Sequence, residues 1–429
     1  MLARVERKLS GEPFVVIGVH SPKFPNERDG AMVREAVRRF AITHPVVVDS
    51  GHRIWQEYGV RAWPTLVVID PRGYVVGAGS GEPDEEPVEE IALQILEACR
   101  ADGIPLATEP LPLHPEPHPV GSYAYPGKVT GGTGRLFVAD TGHHQIVEVG
   151  IEGGGVTAER RRFGIGEPGL AGGAPGTASF HHPNGLALAG DVLWVADTGN
   201  HALRRIDLLT GETTLVAGNG RKGAGLPAGT DLPPREVALR SPWDLAWDAA
   251  RGVLYVAMAG THQLFVLDPA RDVLRVLAGT GRERCDDGPA RDAAFAQPSG
   301  LALSGDRLYV ADSEVSSIRE LDLATMHVRT IAGSGDLFGF GDRDGSGGDA
   351  LFQHPIGVAT HGPRLLVADS FNHKVREVVP ATGRVTTLFG GSGPDGGRRL
   401  FEPEGIHAAD GTVWIADTNH HRLAAFPLS

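Results

Sequence analysis

The sequence predicts a mainly β protein in which six short-strand repeats close into a β-propeller, preceded by a small α/β segment. Each repeat contains an apolar strand pattern that ends in Val-Ala-Asp or a close variant. The six copies occupy residues 136–140, 193–197, 254–258, 308–312, 365–369 and 413–417. Each copy follows an apolar run that opens with Pro and precedes further strand patterns, so one unit has four short strands. Such a unit cannot bury both of its faces alone, whereas stacking around a ring buries them.

The first hundred residues alternate strand and helix patterns instead. Residues 14–19 form an apolar run of strand length, and residues 33–40 repeat apolar side chains at helical spacing. Residues 66–76 predict a hairpin, and residues 88–99 predict an amphipathic helix. Together these elements indicate a small α/β layer.

A Pro-rich stretch separates the two parts. We expect an α/β domain over residues 1–101, an extended linker over 102–122 and the propeller over 123–429. The last repeat shows only three strand patterns. We therefore expect residues 102–122 to lend the last blade its fourth strand.

Composition narrows the functional classes. Cys99 and Cys285 are the only cysteines in the sequence, which excludes a disulfide framework and a Cys₄ metal site. A net charge of −13 disfavours nucleic acid and acidic membranes as general partners. No apolar run is long enough to span a bilayer, and the first residues lack the apolar core of a secretion signal. These features predict a cytoplasmic protein without a membrane partner and without a cofactor.

The repeats resemble NHL repeats. Residues 195–201 read Val-Ala-Asp-Thr-Gly-Asn-His and residues 367–373 read Val-Ala-Asp-Ser-Phe-Asn-His, and the Pro-x-Gly strand starts fit as well. Trp63-Pro64-Thr65, which stands before a strand, resembles the cis-Pro loop of thioredoxin-like proteins. The chain as a whole is similar to the NHL-repeat-containing protein 2 family, in which a thioredoxin-like domain is fused to a six-bladed NHL propeller.

The resemblance also has consequences for redox chemistry. Members of that family carry a cysteine motif at the start of the first long helix, and this chain begins inside that helix with no Cys before Cys99. We therefore expect an incomplete thioredoxin-like domain that lacks the redox pair, with Pro64 in a structural role. The family also carries a further β domain after the propeller, whereas this chain stops after the third strand of blade six.

Candidate binding residues stand where the innermost strand of each blade begins. The repeat is regular around them, yet the two positions after each blade's Pro vary. In four blades the second position is Gly, whereas blades one and three have Lys128 and Asp244. The candidate set is Lys128, Asn184, Trp243, Asp244, Ser299, Ile356 and Glu404. We expect this set at one mouth of the central channel, with Trp243 as an apolar anchor. Ordinary variation of exposed residues is the competing explanation.

Three other patterns suggest chemistry, but structural roles explain them better. Five blades place a His four residues beyond the Asp position, too far from the axis to share a metal, so we expect these His to finish the turn that Asp caps. Residues 342–349 resemble a calcium loop, but Gln353 stands where Glu is required, which favours a turn. Residues 160–162 are three consecutive Arg on an outer strand, which favours protection of an edge over an RNA site.

These observations predict a non-catalytic binding scaffold whose propeller mouth takes a protein, a peptide or a small ligand. Two alternatives stay open at this point. One is a thioredoxin-like thiol oxidoreductase whose Cys pair lies upstream of Met1. The other is a metal-dependent propeller hydrolase or lyase. The sequence contains no G-x-S-x-G, H-E-x-x-H or P-loop motif.

Overall fold

A computed structural model describes residues 1–81, 85–109, 111–117, 121–391 and 399–428. The chain divides into two compact units, Met1–Pro119 and Val120–Ser429. The first unit mixes helices and strands, and the second is built from six sheets arranged as blades. The predicted fold class, a six-bladed β-propeller preceded by an α/β segment, is confirmed.

The first unit has four helices and two separate two-stranded sheets. The helices are α1 (Leu2–Lys8), α2 (Gly30–Arg39), α3 (Arg53–Glu57) and α4 (Glu85–Ala101). The strands are β1 (Gly18–His20), β2 (Val46–Val48), β3 (Thr65–Ile69) and β4 (Val75–Ser80). β1 pairs with β2 in parallel, and β3 pairs with β4 in antiparallel fashion. Apolar side chains stay exposed on both sheets, Val19 at 43% and Val75 at 54%, so this unit buries only a small core.

The Pro-rich segment lies on α2 instead of on the last blade. Glu116 pairs with Nε of Arg34 and with a terminal nitrogen of Arg38, each at 3.1 Å. Pro112 and Pro115 line a groove together with Val33 of α2. The described residues of 102–122 form no strand, and the last blade has three strands within the described ranges. The prediction that this segment completes the last blade is therefore wrong for those residues, because ion pairs hold the segment on a helix of the first unit.

The propeller blades follow one another along the chain, and neighbouring strands within a blade are antiparallel. Blade one contains β5 (Val129–Gly132), β6 (Arg135–Asp140), β7 (Gln145–Glu152) and β8 (Gly155–Phe163). Blade two contains β9 (Pro183–Ala189), β10 (Val192–Asp197), β11 (Ala202–Asp207) and β12 (Thr213–Ala217). Blade three contains β13 (Asp231–Leu232), β14 (Pro242–Asp248), β15 (Val253–Met258), β16 (Gln263–Asp268) and β17 (Val273–Ala278).

The second half of the ring repeats this arrangement. Blade four contains β18 (Gly288–Pro289), β19 (Pro298–Ser304), β20 (Arg307–Asp312), β21 (Ser317–Asp322) and β22 (His327–Ala332). Blade five contains β23 (Gly345–Ser346), β24 (Pro355–His361), β25 (Arg364–Asp369), β26 (Lys374–Val379) and β27 (Arg384–Gly390). Blade six contains β28 (Pro403–Ala409), β29 (Thr412–Asp417) and β30 (Arg422–Pro427). The two-residue strands β13, β18 and β23 each pair with the outermost strand of their blade.

The hydrophobic core lies between the blades. Blades two and three, for example, bury Trp194, Leu203, Leu245 and Phe265 in one cluster. Successive innermost strands contact one another around the ring, and β28 contacts β5. The amphipathic faces that a single blade leaves open are thereby covered on both sides.

The Asp that ends the second strand organises the entry to its own blade. Asp197 is fully buried, and its Oδ1 accepts a hydrogen bond from the backbone N–H of His181 at 2.8 Å. Asp140, Asp312, Asp369 and Asp417 accept in the same way from the residue sixteen positions earlier. The expectation that this Asp caps the backbone of the turn that follows it is wrong, because the side chains of Asp140, Asp197, Asp369 and Asp417 form no cap hydrogen bond there and bind the entering segment instead.

The hydroxyl residue after that Asp ties each blade to the next. Thr198 Oγ1 donates to the carbonyl oxygen of Pro242 at 2.6 Å, and Thr418 Oγ1 donates to that of Pro126 at 2.8 Å. Thr141, Ser313 and Ser370 make the same bond to the next blade. The Thr418 bond joins blade six to blade one and so closes the ring. Blade three has Ala259 at this position and contributes no hydroxyl.

The recurrent His extends this tie. His144 adopts a left-handed backbone with φ of 57°, and its Nδ1 accepts the backbone N–H of His182 in blade two at 3.2 Å. His201, His373 and His421 accept in the same way from the next blade around the ring, and Ser316 Oγ replaces them in blade four. His tolerates this backbone region better than most residues. The expectation that these His only finish their own turn is therefore incomplete, because their rings reach the neighbouring blade.

Three blades also bury a charged pair. Asp197–Arg204, Asp312–Arg319 and Asp369–Arg376 lie at 2.9, 3.1 and 2.9 Å with both side chains fully buried. Burial raises the pKa of Asp197 to about 6, against the opposing effect of Arg204 and the His181 N–H. Blade three places Met258 and Phe265 at the equivalent positions. Blade three thus has an apolar pair at the positions where three other blades have a buried ion pair.

We expect Arg204→Met to destabilise the propeller strongly, because Asp197 would be left buried without its counter-charge. The expected loss in free energy of unfolding is about 3–5 kcal/mol. The double variant Asp197→Met with Arg204→Phe copies blade three and should recover more than half of that loss. Urea unfolding curves measure both values, and a double variant no more stable than Arg204→Met would contradict this account.

We also expect His144 to contribute a loss of propeller stability as the pH falls from about 6.5 to about 4, while the raised pKa of Asp197 acts in the opposite direction. Burial, with His181 and His143 nearby, lowers the pKa of His144 to about 4. The unfolded chain therefore takes up a proton in this window while the folded chain does not, so acid favours unfolding. In His144→Asn the side-chain oxygen can still accept the His182 N–H but does not titrate. Melting temperatures from pH 7 to pH 5 should fall less steeply for this variant, and equal slopes would count against the role of His144.

Candidate functional site

The innermost strands of the six blades surround a central channel of about 340 Å³. In five of these six strands exposure rises from start to finish, and β14 is the exception. In β9 residues 183–187 are buried and the last two are half-buried, and β24 and β28 follow the same trend. The channel is therefore closed where the strands begin and opens where they end. Residues at the open end are Thr130, Leu188, Trp247, Leu303, Thr360 and Ala408.

A buried Lys–Asp pair closes the other end. Lys128 Nζ donates to the carbonyl oxygen of Ile356 at 2.6 Å and lies 3.4 Å from Oδ2 of Asp244. Asp244 also accepts the backbone N–H groups of Leu301 and Leu245, at 3.0 and 2.9 Å. Burial raises the pKa of Asp244, while Lys128 and the two N–H groups act in the opposite direction. The pair crosses the channel and joins blades one, three, four and five.

This pair explains why two blades break the Pro-x-Gly pattern. A Cβ added to Gly357 would lie 2.1 Å from the carbonyl oxygen of Glu404 in the next blade, and one added to Gly405 would lie 2.4 Å from that of Gly127. Gly185 and Gly300 meet the next blade equally closely. Glycine is required there because the innermost strands almost touch. Lys128 and Asp244 take the same position in blades one and three and reach across the channel instead.

Each of the remaining predicted site residues is the second residue of an innermost strand. Asn184, Ser299, Ile356 and Glu404 are buried, at 2%, 3%, 7% and 1% exposure, and Trp243 is half-buried. Among the described residues that line the channel, only Lys128 and Asp244 come from the predicted set. The structure does not support an exposed ring at this mouth. A binding role for the seven residues stays a prediction.

Two residues that line the channel, His407 and Trp247, are not in the predicted set. His407 lines the channel, and its buried Nε2 has no hydrogen-bond partner among the residues that the structure describes. Burial holds the pKa of His407 below its usual value, so the ring is neutral at pH 7. Trp247 stacks on Trp194 at the open end, with ring centroids 5.8 Å apart. The signal for His407 was available, because the fifth residue from the blade Pro is Ala in four blades and His in blade six.

The repeat units match a known family. A model described as NHL repeat matches residues 180–206 and 295–321, which cover the first three long strands of blades two and four. The chain contains NHL repeats and folds as a six-bladed β-propeller. The likeness to the NHL-repeat-containing protein 2 family that the sequence motifs predict is confirmed by two longer relatives.

Both of these relatives are similar to nearly the whole chain. "Protein SUPPRESSOR OF QUENCHING 1, chloroplastic" from Arabidopsis thaliana is 38% identical over 461 residues, which cover 99% of this chain and 42% of that protein. "NHL repeat-containing protein 2" from Bos taurus is 36% identical over 463 residues, covering 96% of this chain and 62% of that protein. The chain thus spans less than two thirds of the length of either relative.

A shorter match concerns the thioredoxin-like prediction. "Thiol-disulfide oxidoreductase ResA" from Halalkalibacterium halodurans is 28% identical over 85 residues, covering 20% of this chain and 44% of that protein. In the first unit the Trp63–Pro64 peptide bond is cis, as the resemblance implies for this loop. Trp63 Nε1 donates to the carbonyl oxygen of Ser21 at 2.8 Å, and its ring lies 4.2 Å from that of Trp55.

The two cysteines of this NHL protein are free thiols in different units. Cys99 is buried in α4, and Cys285 is half-buried on the connection that leads into blade four. Burial raises the pKa of Cys285, so a smaller fraction of this thiol is present as the reactive thiolate.

The charged side chains of the remaining motifs form ion pairs within the propeller. Asp342 pairs with Lys374 at 2.5 Å, and Asp344 pairs with Arg376 at 2.7 Å, so the calcium-like segment docks its carboxylates on basic side chains. The arginines of residues 160–162 pair with Glu148, Asp140 and Glu159. Within the described ranges, no group of three or more His, Cys, Asp or Glu side chains has the geometry for a metal ion. None of the helices described combines the length and apolar character needed to cross a membrane.

We expect Lys128→Met to destabilise the NHL propeller by about 3–5 kcal/mol, because Asp244 would remain buried without a counter-charge. The double variant Lys128→Gly with Asp244→Gly restores the pattern of the other four blades. It leaves no buried charge and should therefore lose less, namely the backbone entropy of two glycines, about 0.5–1 kcal/mol each, and the hydrogen bonds that the pair makes to Leu245, Leu301 and Ile356. Chemical unfolding at pH 7 separates these values. If the double variant is as unstable as Lys128→Met, the channel-closing role of the pair is not supported.

Proposed function

We propose that this protein is a non-catalytic binding scaffold whose propeller channel receives a ligand group through its open end. The observation that carries the proposal is a channel of about 340 Å³ that is closed at one end by Lys128 and Asp244 and accessible at the other. A blind chamber of this size suits a small ligand or one protruding side chain of a peptide or protein. The site is therefore proposed at the opposite end of the channel from Trp243.

The walls indicate what kind of group would fit. Lys128 and Asp244 compensate each other, so the closed end offers little net charge to a ligand. Leu188 and Leu303 supply apolar surface, whereas the neutral ring of His407 offers an unused nitrogen. The inner edges of the innermost strands add backbone N–H and C=O groups. A neutral, amphipathic group satisfies all of these features better than an ion does.

A second candidate, thiol–disulfide exchange, draws on the printed name of ResA and on the cis-Pro64 loop. Such chemistry requires a reactive thiolate, usually with a resolving Cys beside it. The sequence holds only Cys99 and Cys285, which lie in separate units. We therefore favour the binding function for this chain. The cytoplasmic location stays a prediction, and the printed name of one relative refers to the chloroplast.

The channel proposal is tested by filling the open end. Thr360 lines the channel at the end of β24, and Trp is well tolerated in strands, so Thr360→Trp should obstruct the chamber without unfolding the blade. Peptides selected from a random displayed library against the wild-type protein should include binders whose affinity falls at least tenfold in Thr360→Trp.

The matched control is Thr386→Trp, the same substitution on the outer strand β27 of the same blade. Binding of those peptides should be unchanged in this control. Fluorescence anisotropy with labelled peptides gives the affinities. If every selected peptide binds Thr360→Trp and wild type equally well, the channel is not the binding site.

A further inference from the structure

The wall of the channel has an apolar half and a polar half. The apolar half comes from the consecutive blades two, three and four, and its half-buried side chains are Leu188, Trp247 and Leu303. The polar half comes from blades five, six and one, and its half-buried side chains are Thr360, His407 and Thr130. Successive innermost strands contact one another around the ring, so each set occupies one side of the channel. A ligand that enters through the open end therefore meets apolar surface on one side and hydrogen-bonding groups on the other.

Trp247 makes the apolar half suitable for a flat ring. Its indole stacks on that of Trp194 in blade two, with ring centroids 5.8 Å apart and 20° between the planes. Trp194 is itself buried, at 5% exposure, so the stack holds the indole of Trp247 in place. Because Trp247 is only half-buried, part of its ring stays accessible from the channel. Aromatic rings pack favourably on such a surface in offset or edge-to-face geometry.

His407 gives the polar half a side chain that can bond to a ligand. Burial lowers the pKa of His407, so its ring is neutral at pH 7 and has one donor and one acceptor nitrogen. The buried Nε2 has no hydrogen-bond partner in the described part of the chain. The ring can therefore turn toward a ligand without breaking a bond at that nitrogen. A hydroxyl group both donates and accepts, so it can pair with His407 in either tautomer.

The charges at the closed end disfavour an ionic ligand group. Lys128 Nζ lies 3.4 Å from Asp244 Oδ2 and donates to the carbonyl oxygen of Ile356, so the two charges already compensate each other. Asp244 also accepts two backbone N–H groups. A carboxylate, phosphate or ammonium group in the channel would lose hydration without gaining an unpaired counter-charge at this end. The ligand group that fits is therefore uncharged.

We propose that the open end of the channel binds a neutral phenol ring, either on a tyrosine side chain or in a free small phenol. The ring packs against Trp247, and its hydroxyl bonds to His407. This assignment rests on the proposed function of the channel and names the class of its ligand. A phenol has a pKa of about 10, so it is uncharged at pH 7. A benzyl group would leave His407 without a partner, and an aliphatic alcohol would leave Trp247 without a ring to pack on.

The test compares p-cresol, which is the phenol ring of tyrosine, with toluene, which lacks only the hydroxyl. Ligand-observed NMR titrations of the full chain at pH 7 give both affinities. We expect p-cresol to bind about threefold to tenfold more tightly than toluene, which corresponds to one net hydrogen bond. N-acetyl-tyrosinamide distinguishes the two sources, because tighter binding than that of p-cresol indicates a tyrosine in a peptide, whereas weaker binding indicates a free phenol. Its phosphorylated form should not bind, because its charge finds no counter-charge.

Substitutions copied from other blades test the two halves separately. His407→Ala introduces the residue of four other blades, and it should reduce the preference for p-cresol over toluene to less than about twofold. Trp247→Leu introduces the residue of blades two and four, and it should weaken both ligands by about threefold or more. Trp243→Leu is the matched control, because Trp243 lies at the opposite end of the channel. It should leave both affinities unchanged.

Four results would overturn the phenol assignment. They are an absence of saturable p-cresol binding, equal affinities of p-cresol and toluene, an unchanged preference in His407→Ala, and full p-cresol affinity in Trp247→Leu. The first two come from the unmodified protein and do not depend on the folding of a variant. The proposed function fails separately. If selected peptides lose affinity in Thr360→Trp while p-cresol and toluene bind alike, the channel is the binding site and the phenol assignment is wrong.

Discussion

The propeller depends on one recurrent turn, the turn that follows the second strand of each blade. Its Asp accepts a hydrogen bond from a backbone N–H of the segment that enters the same blade, as Asp197 does from His181. Its hydroxyl residue and its His then reach the next blade, as Thr198 does to Pro242 and His201 does to Ser241. Because these contacts position the Pro that opens each innermost strand, they also set the width of the channel. A ring closed by short polar bonds gives each blade a defined start, and the apolar faces between blades supply most of the burial.

Blade three shows how much of this turn the fold can replace. It has Met258 for Asp, Ala259 for the hydroxyl residue and Phe265 for the buried Arg. Met258 and Phe265 together remove both members of the buried ion pair, which is the condition under which such a pair can be replaced by apolar packing. The same blade contributes Asp244 to the channel. Its position in the ring is thus held partly by the pair with Lys128.

The proposed function depends on the channel. Its closed end is electrically balanced by Lys128 and Asp244, and its other end is accessible. A channel of this kind can receive a small group without presenting a net charge to it.

Residue pattern alone established the six blades and the presence of the α/β unit, because both follow from local periodicity. The interruption at Lys128 and Asp244 was also visible, although its meaning was not. Folding in three dimensions made these two side chains a pair across the channel, turned the recurrent His into ties between blades and placed Glu116 on α2. Each of these outcomes joins residues far apart in the sequence, and periodicity carries no information about which distant groups will meet. His407 illustrates the boundary, since its departure from Ala can be seen in the repeat, but only the closed ring shows that it faces a channel.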